Sequence, residues 1–244
     1  MIEIINLHKS FGSQHVLRGV NLNIPDGKVT VILGPSGCGK TVLMRHIIGL
    51  VKPDSGRIVV DGVDINRLSK HELNDFRKRF GMLFQHAALF DSMTVGENVA
   101  FPLIEHSHEK DPKKIAATVA EMLQLVELPN AEHKHPDEIS GGMRKRVGLA
   151  RAIALKPQIL LYDEPTTGLD PIMTLTIDNL IQSMQHALGV TSVVISHDIA
   201  SAFRVADQIA MLHEGKIVEC APPEAFRKSK HAVVQSFLNV GGMS

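Results

Sequence analysis

The sequence predicts an α/β fold: a parallel sheet flanked by helices, with a small antiparallel sheet near the N-terminus and an inserted helical segment. Three observations predict it. Short apolar, β-branched runs at 29–33, 159–162 and 191–195 alternate with segments of helical spacing. A helical stretch from about 87 to 155 interrupts that alternation. The first run feeds directly into Gly34-Pro35-Ser36-Gly37-Cys38-Gly39-Lys40-Thr41, after which residues 41–50 carry apolar side chains at helical spacing. A glycine-rich stretch with Lys-Thr, set between strand and helix, is a P-loop. Its glycines let backbone amides turn onto phosphate oxygens, and the helix start adds the positive end of its dipole. Lys40 supplies a point charge and Thr41 a magnesium ligand.

Composition narrows the classes. The chain has 244 residues, room for one large domain or two lobes sharing a core, and 44% hydrophobic content makes it globular. No run approaches the ~18 apolar residues of a membrane span, and the start lacks a signal-peptide profile, so a soluble, intracellular chain is expected. Basic and acidic residues balance at 26 each, which does not recommend nucleic acid as a partner. Of the two cysteines, Cys38 lies inside the loop, where a disulfide to Cys220 would obstruct it; both are read as free thiols.

In chain order, residues 2–7, 16–17 and 20–24 read as strands around the turns at Phe11-Gly12-Ser13 and Pro25-Asp26-Gly27, and 57–60 returns to the same small sheet. Phe11, an aromatic at a turn, is either ordinary packing or a platform for a base. Ser69 caps a polar helix at 69–79, and the apolar strand 80–84 ends on Gln85, at the sheet edge where α/β proteins bind ligands. Ile115, Val119, Met122, Leu123 and Val126 form one helical face. Ser140 caps the next helix; Gly141 and Gly142 expose amides able to bind an anion. The triplet Arg144-Lys145-Arg146 reads as a solvated face.

The strand at 159–162 ends in Asp163-Glu164. Behind a P-loop, the first carboxylate positions magnesium and the second orients or deprotonates an attacking water. Asp170 caps, and Pro171 starts, a helix to about residue 188. His197 follows the strand 191–195 at its carboxyl edge, placed to touch a terminal phosphate. Strands at 208–212 and 216–220 bracket Glu214-Gly215, and a helical tail runs from 223 to 238. Its Val233, Val234, Phe237 and Leu238 dock either on a partner or on the chain's own core. The pairs His106/His108 and His133/His135 lack the carboxylate or cysteine support of a metal site.

From Phe11 to about residue 225 these motifs, in this order, resemble the nucleotide-binding subunit of an ATP-binding cassette (ABC) transporter. The resemblance implies a RecA-like P-loop core (1–86 and 156–222) with an N-terminal antiparallel β subdomain. It also implies a helical signature subdomain (87–155) and a C-terminal helical tail (223–244). Phe11 looks like the adenine-stacking aromatic, residues 34–41 the Walker A loop, Gln85 the Q-loop and Ile139-Ser140-Gly141-Gly142-Met143 the signature. Residues 159–164 resemble Walker B with the catalytic Glu164, Gly168-Leu169-Asp170 the D-loop, and His197 the switch histidine. Lys40, Glu164 and His197 would act in hydrolysis, and Thr41, Gln85 and Asp163 would hold Mg2+. Val16 and Val42 would join the loop, Ser140, Gly141, Gly142 and Asp170 around ATP.

In the family two such subunits meet head to tail, each signature closing on nucleotide held by the other chain. Met143 departs from the usual glutamine of the signature. With the Arg-Lys-Arg that follows and Phe84-Gln85-His86-Ala87-Ala88-Leu89-Phe90, it is similar to the ATPases of Mla-type (MCE-associated) lipid transporters. That implies ATP-driven phospholipid transport through a separate permease, with MCE-domain and accessory subunits as further partners, on the cytoplasmic side of the inner membrane. Residues 87–90 would either form the exposed groove for the permease's coupling helix or pack inside the helical lobe. The alternatives are the ATPase of a small-solute importer and, more remotely, an ABC ATPase of nucleic-acid metabolism, which usually adds coiled-coil insertions or a second cassette.

Overall fold

The computed structural model describes residues 1–107 and 109–240. Two sheets carry the chain. β1 (Ile2–Phe11) and β2 (Gln14–Ile24) pair antiparallel, and β4 (Ser55–Val60) and β5 (Val63–Asp64) extend them in the order β2-β1-β4-β5. The second sheet has the order β10-β9-β3-β8-β7-β6. Its strands are β3 (Val29–Leu33), β6 (Phe80–Leu83), β7 (Ile159–Asp163), β8 (Thr191–Ser196), β9 (Gln208–His213) and β10 (Lys216–Ala221). Five run parallel, and β10 turns back antiparallel at the edge.

β3, β7 and β8 are buried at every residue. A strand covered on both faces carries continuous apolar side chains, which is why these three are plain in the sequence. Alternate residues of β3 feed two cores. Val29, Val31 and Leu33 join the helices; Ile32 joins α1 (Lys40–Ile47) and the antiparallel sheet, through Leu43, Ile47, Ile2 and Leu22.

The helices sit between and beside these strands. α2 (Lys70–Arg77) has the Ser69–Glu72 capping box. α3 (Val95–His106), α4 (Pro112–Leu125) and α5 (Gly141–Ile153) pack together through Val99, Leu103, Val119, Met122, Leu123, Val147 and Leu149, all buried. α6 (Pro171–Leu188) and α7 (Ile199–Val205) cover the same face of the parallel sheet and are clamped by Asp178, whose carboxylate accepts from Arg204 Nε at 2.8 Å.

The tail departs from one continuous helix. It forms α8 (Pro223–Arg227) and α9 (Ala232–Val240), separated where Ser229 Oγ donates to Glu219 and accepts from the His231 amide. A hydroxyl bonding locally to backbone competes with helix continuation. Val234 and Leu238 are buried in the chain's own core, with Val233 and Phe237 packed beside them. His108 and residues 241–244, included in the metal-pair and tail readings, lie outside the described residues.

Hydrogen bonds join the two sheets at both ends of β9, where Gln208 Nε2 donates to Asn23 O at 2.7 Å at its start. The Arg18 amide donates to Gly215 O at 2.8 Å, tying β2 to the β9–β10 turn. Gly215 has φ +76, and a Cβ there would stand 2.5 Å from Val16 O, so only glycine allows this approach.

Candidate functional site

The carboxyl ends of β3, β6, β7 and β8 open on one edge of the parallel sheet. From that edge the chain places residues 34–41, Gln85, Glu164 and His197. Gly34 packs so closely on the Leu212 carbonyl that any Cβ would overlap it, and Gly39 enters α1 at φ 107. Both positions need glycine. Lys40 is buried, and its Nζ donates to Gly34 O (2.8 Å) and Pro35 O (3.0 Å), lying across the loop it follows. No acidic residue occupies the first turn of α1, so the positive end of the helix dipole is left for an anion.

A cavity of about 720 Å³ opens beside this loop. It is lined by Phe11, Gln14, Val16, Ser36, Gly37, Gly39, Lys40, Thr41, Val42, Gln85, Glu164, Thr167 and His197, and it is large enough for a nucleotide. Phe11 is half exposed at the lip, with Lys9 Nζ 5.4 Å from its ring centroid. At the other end Thr41 Oγ1 donates to Asp163 Oδ1 at 3.3 Å. Burial pushes the Asp163 carboxyl above its ordinary range, the Thr41 bond opposes that, and the neighbouring Glu164 charge adds to it. A hydroxyl and a carboxylate side by side, the latter short of solvation, with the Gln85 amide in the same cavity, fit a hard divalent cation.

Glu164 sits at φ 48, a conformation costing about 1–2 kcal/mol for a residue with a Cβ, so its surroundings must hold it there. Its amide donates to Ile195 O at 3.0 Å, and its carbonyl accepts from Lys145 Nζ at 3.2 Å. Its Oε2 accepts from Thr167 Oγ1 at 2.7 Å and lies 2.7 Å from His197 Nδ1. The arrangement sets a positioned carboxylate and an imidazole across from a cationic phosphate loop.

Ser140, Gly141, Gly142 and Asp170 are not brought to this cavity. Ser140 and Gly141 are exposed at the start of α5, where Ser140 Oγ accepts from the Met143 amide at 3.3 Å. Asp170 caps α6, accepting from the Ile172 and Met173 amides at 2.9 Å each.

A family model for the ABC transporter matches residues 17–167. The chain belongs to the ABC transporter family of ATP-binding proteins. As an ABC ATPase it binds and hydrolyses ATP. It is 47% identical over 98% of its length to a probable ribonucleotide transport ATP-binding protein, Mkl, of Mycobacterium leprae, and spans 68% of that relative. It spans 66% of the Mkl proteins of other mycobacteria. It is 41% identical to the intermembrane phospholipid transport system ATP-binding protein MlaF of Escherichia coli, covering 98% of this chain and 88% of MlaF. The sulfate/thiosulfate import ATP-binding protein CysA of Neisseria meningitidis is 43% identical over 97% of this chain and 66% of its own length. Among solved structures, an ATP-binding cassette in a dimeric post-hydrolysis state bound to ADP and Pi matches with a TM-score of 0.83 at 33% identity, over 91% of this chain and 99% of that one.

One expectation for the ABC ATPase needs correction. Of the triplet Arg144-Lys145-Arg146 only Arg144 is exposed as a solvated face requires; Lys145 is buried and Arg146 half-buried. Lys145 is 6% exposed, and its Nζ also donates to Thr167 O at 3.1 Å; Arg146 donates to Glu127 O at 2.9 Å. Burial lowers the Lys145 pKa to about 8, with the Glu164 charge opposing. A signal for this existed: three and four residues on, Gly148 and Leu149 are apolar, placing Lys145 on the buried face of α5. Residues 87–90 divide between the two alternatives the sequence left open. Ala87 is buried against Gly148, while Phe84 and Phe90 are each 41% exposed. These two rings, with Ala88, Phe101 and Arg151, line a second cavity of about 750 Å³ between α2 and β6 on one side and α3 and α5 on the other. Thr167, which holds the Glu164 carboxylate, carried no signal beyond its nearness in the chain.

Proposed function

We propose that this chain is the ATP-hydrolysing subunit of a transporter that moves phospholipid through a separate membrane permease. The observation that carries the ATPase assignment is the convergence of Thr41, Asp163, Glu164 and His197 beside the Lys40 loop. Its likeness to MlaF over nearly the whole chain supports the lipid reading, as does Met143 in the signature. The CysA likeness supports the competing reading, a solute importer. Among the described residues no helix is long and apolar enough to cross a membrane.

In this reading Lys40 and the loop amides bind the phosphates, and Phe11 stacks on the base. Thr41, Asp163 and Gln85 hold magnesium, which neutralises phosphate charge when bound. With Oε2 held by Thr167, Glu164 offers its other oxygen to the attacking water and takes its proton. His197, half exposed and touching Glu164, holds the γ-phosphate side of the cavity. The second wall, Ser140 with the Gly141 and Gly142 amides, comes in this reading from another copy of the chain, since the chain's own Ser140–Gly142 lie outside the cavity lining. Glu164→Gln is expected to leave ATP binding intact, trap the dimer and slow hydrolysis by about 100-fold or more. Undiminished turnover in that variant sinks the assignment.

The groove lined by Phe84, Phe90 and Phe101 receives the permease. Phe90→Glu is expected to abolish transport in reconstituted vesicles while basal ATPase stays within about twofold. Persistent permease binding moves the interface elsewhere. Co-purification separates the substrate readings: a permease with an MCE-domain partner supports lipid traffic, and a periplasmic solute receptor supports import of small solutes.

A further inference from the structure

Helix α5 grips its surroundings through cations on backbone carbonyls. Arg151 donates to Ala87 O (2.7 Å) and Ala88 O (2.9 Å), in the loop behind Gln85. Lys145 donates to Glu164 O (3.2 Å) and Thr167 O (3.1 Å), in the loop behind Asp163. Both loops contain residues in the left-handed region, Ala87 at φ 59, Ala88 at φ 49 and Glu164 at φ 48. Such backbone persists only where its surroundings over-determine it. Lys145 holds both ends of the turn 164–167, and Thr167 in turn holds the Glu164 carboxylate at 2.7 Å. The cation therefore fixes the reacting carboxylate through two backbone oxygens and one hydroxyl without reaching the cavity itself, whose lining does not include it.

We propose that Lys145 is a positioning residue that fastens the Glu164 turn to α5, so that a displacement of Ser140–Gly142 at the start of this helix is transmitted to the Glu164 of the same chain. This rests on the proposed role of Glu164 and on the two-chain site. Ser140 caps the first turn of α5, and Lys145 lies about one and a half turns further along the same 13-residue helix. A helix moves as a rigid rod over that length. Ser140 meets the nucleotide held by the partner, whereas Lys145 adjusts the carboxylate facing the chain's own nucleotide. Occupancy of one site is thereby reported to the other by a physical link, and ATP hydrolysis is cooperative for that reason.

The test is steady-state ATP hydrolysis by the full-length protein carrying Lys145→Met, which keeps the aliphatic stem and removes the donors. The expected result is a kcat lower by about tenfold or more with the KM for ATP changed less than about twofold, and a Hill coefficient falling to about 1. Lys145→Arg, which restores cationic donors, should recover most of kcat. In a Glu164→Gln background Lys145→Met should slow the residual single-turnover rate no further, since a residue acting through Glu164 has nothing left to position. If Lys145→Met does not fold, Lys145→Gln carries the same measurements, with kcat between those of the wild type and Glu164→Gln. A folded variant with wild-type kcat and cooperativity overturns the proposal, as does an equal loss in both backgrounds. Full activity in Glu164→Gln alone instead overturns the underlying catalytic reading and leaves the Lys145 contacts without that role.

Discussion

The sharpest consequence of the proposed two-chain site concerns Gly141. This residue is exposed in the first turn of α5, its φ is outside the left-handed region, and a Cβ added to it meets no atom within 4 Å. Gly141→Ala therefore creates no clash within the chain. Alanine is favoured over glycine in helices by about 1 kcal/mol in the interior, so at this terminal position stability should stay level or rise by up to about 1 kcal/mol. Any loss of hydrolysis must then arise from a second molecule approaching the glycine backbone. Gly142→Ala is a poorer probe, because its Cβ would overlap the terminal methyl of Met173 and mix repacking with function. The assay is ATP turnover beside urea unfolding. Gly141→Ala should unfold at or slightly above the wild-type midpoint and lose at least about tenfold in rate. Mixed with Lys40→Ala, it should regain activity. In a head-to-tail dimer the mixed pair has one site with an intact loop and an intact signature. Random pairing makes about half the dimers mixed, with one good site of two, which caps the recovery at about a quarter of the wild-type rate, with coupling between the sites bringing it below that. Wild-type turnover by Gly141→Ala, or no recovery on mixing, refutes the shared site.

Besides the Glu164, Phe90 and Lys145 substitutions, Cys38 gives a prediction in pH. Burial is the largest influence on this thiol and raises its pKa above 9.0, while the Lys40 charge and backbone amides lower it less. Only the thiolate reacts, so a raised pKa means slow alkylation near neutrality. In a Cys220→Ser background, iodoacetamide labelling should still accelerate as pH passes 9 and should slow when ATP is bound; a rate that levels off below pH 8 contradicts the burial argument.

The parallel sheet was legible because β3, β7 and β8 are covered on both faces, which forces unbroken apolar runs. The cavity residues were legible for a related reason: Gln85, Glu164 and His197 each stand just beyond a strand's carboxyl end, and the strands share one edge. Lys145 was obscured by the charges on either side of it, since a run of three cations reads as solvated whatever the helical phase of its middle member. Whether Ala87 is buried stayed open in the sequence because its burial comes from a left-handed turn against Gly148, and neither residue type announces such a turn. The break in the tail at Ser229 has no glycine or proline to mark it. It depends on Glu219, a residue of another strand, so local sequence alone does not contain it.

The Arg18–Gly215 bond gives the nucleotide cavity a fixed span. Phe11 belongs to the antiparallel sheet and residues 34–41 follow a strand of the parallel one, and this bond joins the two sheets beside Val16, which lines the cavity. The distance from ring to loop is set before any ligand arrives. A molecule that reaches both ends behaves as a chelate: once one end is seated, the other is presented at high effective concentration. Adenine alone or phosphate alone gains none of this, and the cavity measures the length of its ligand as well as the chemistry of each end.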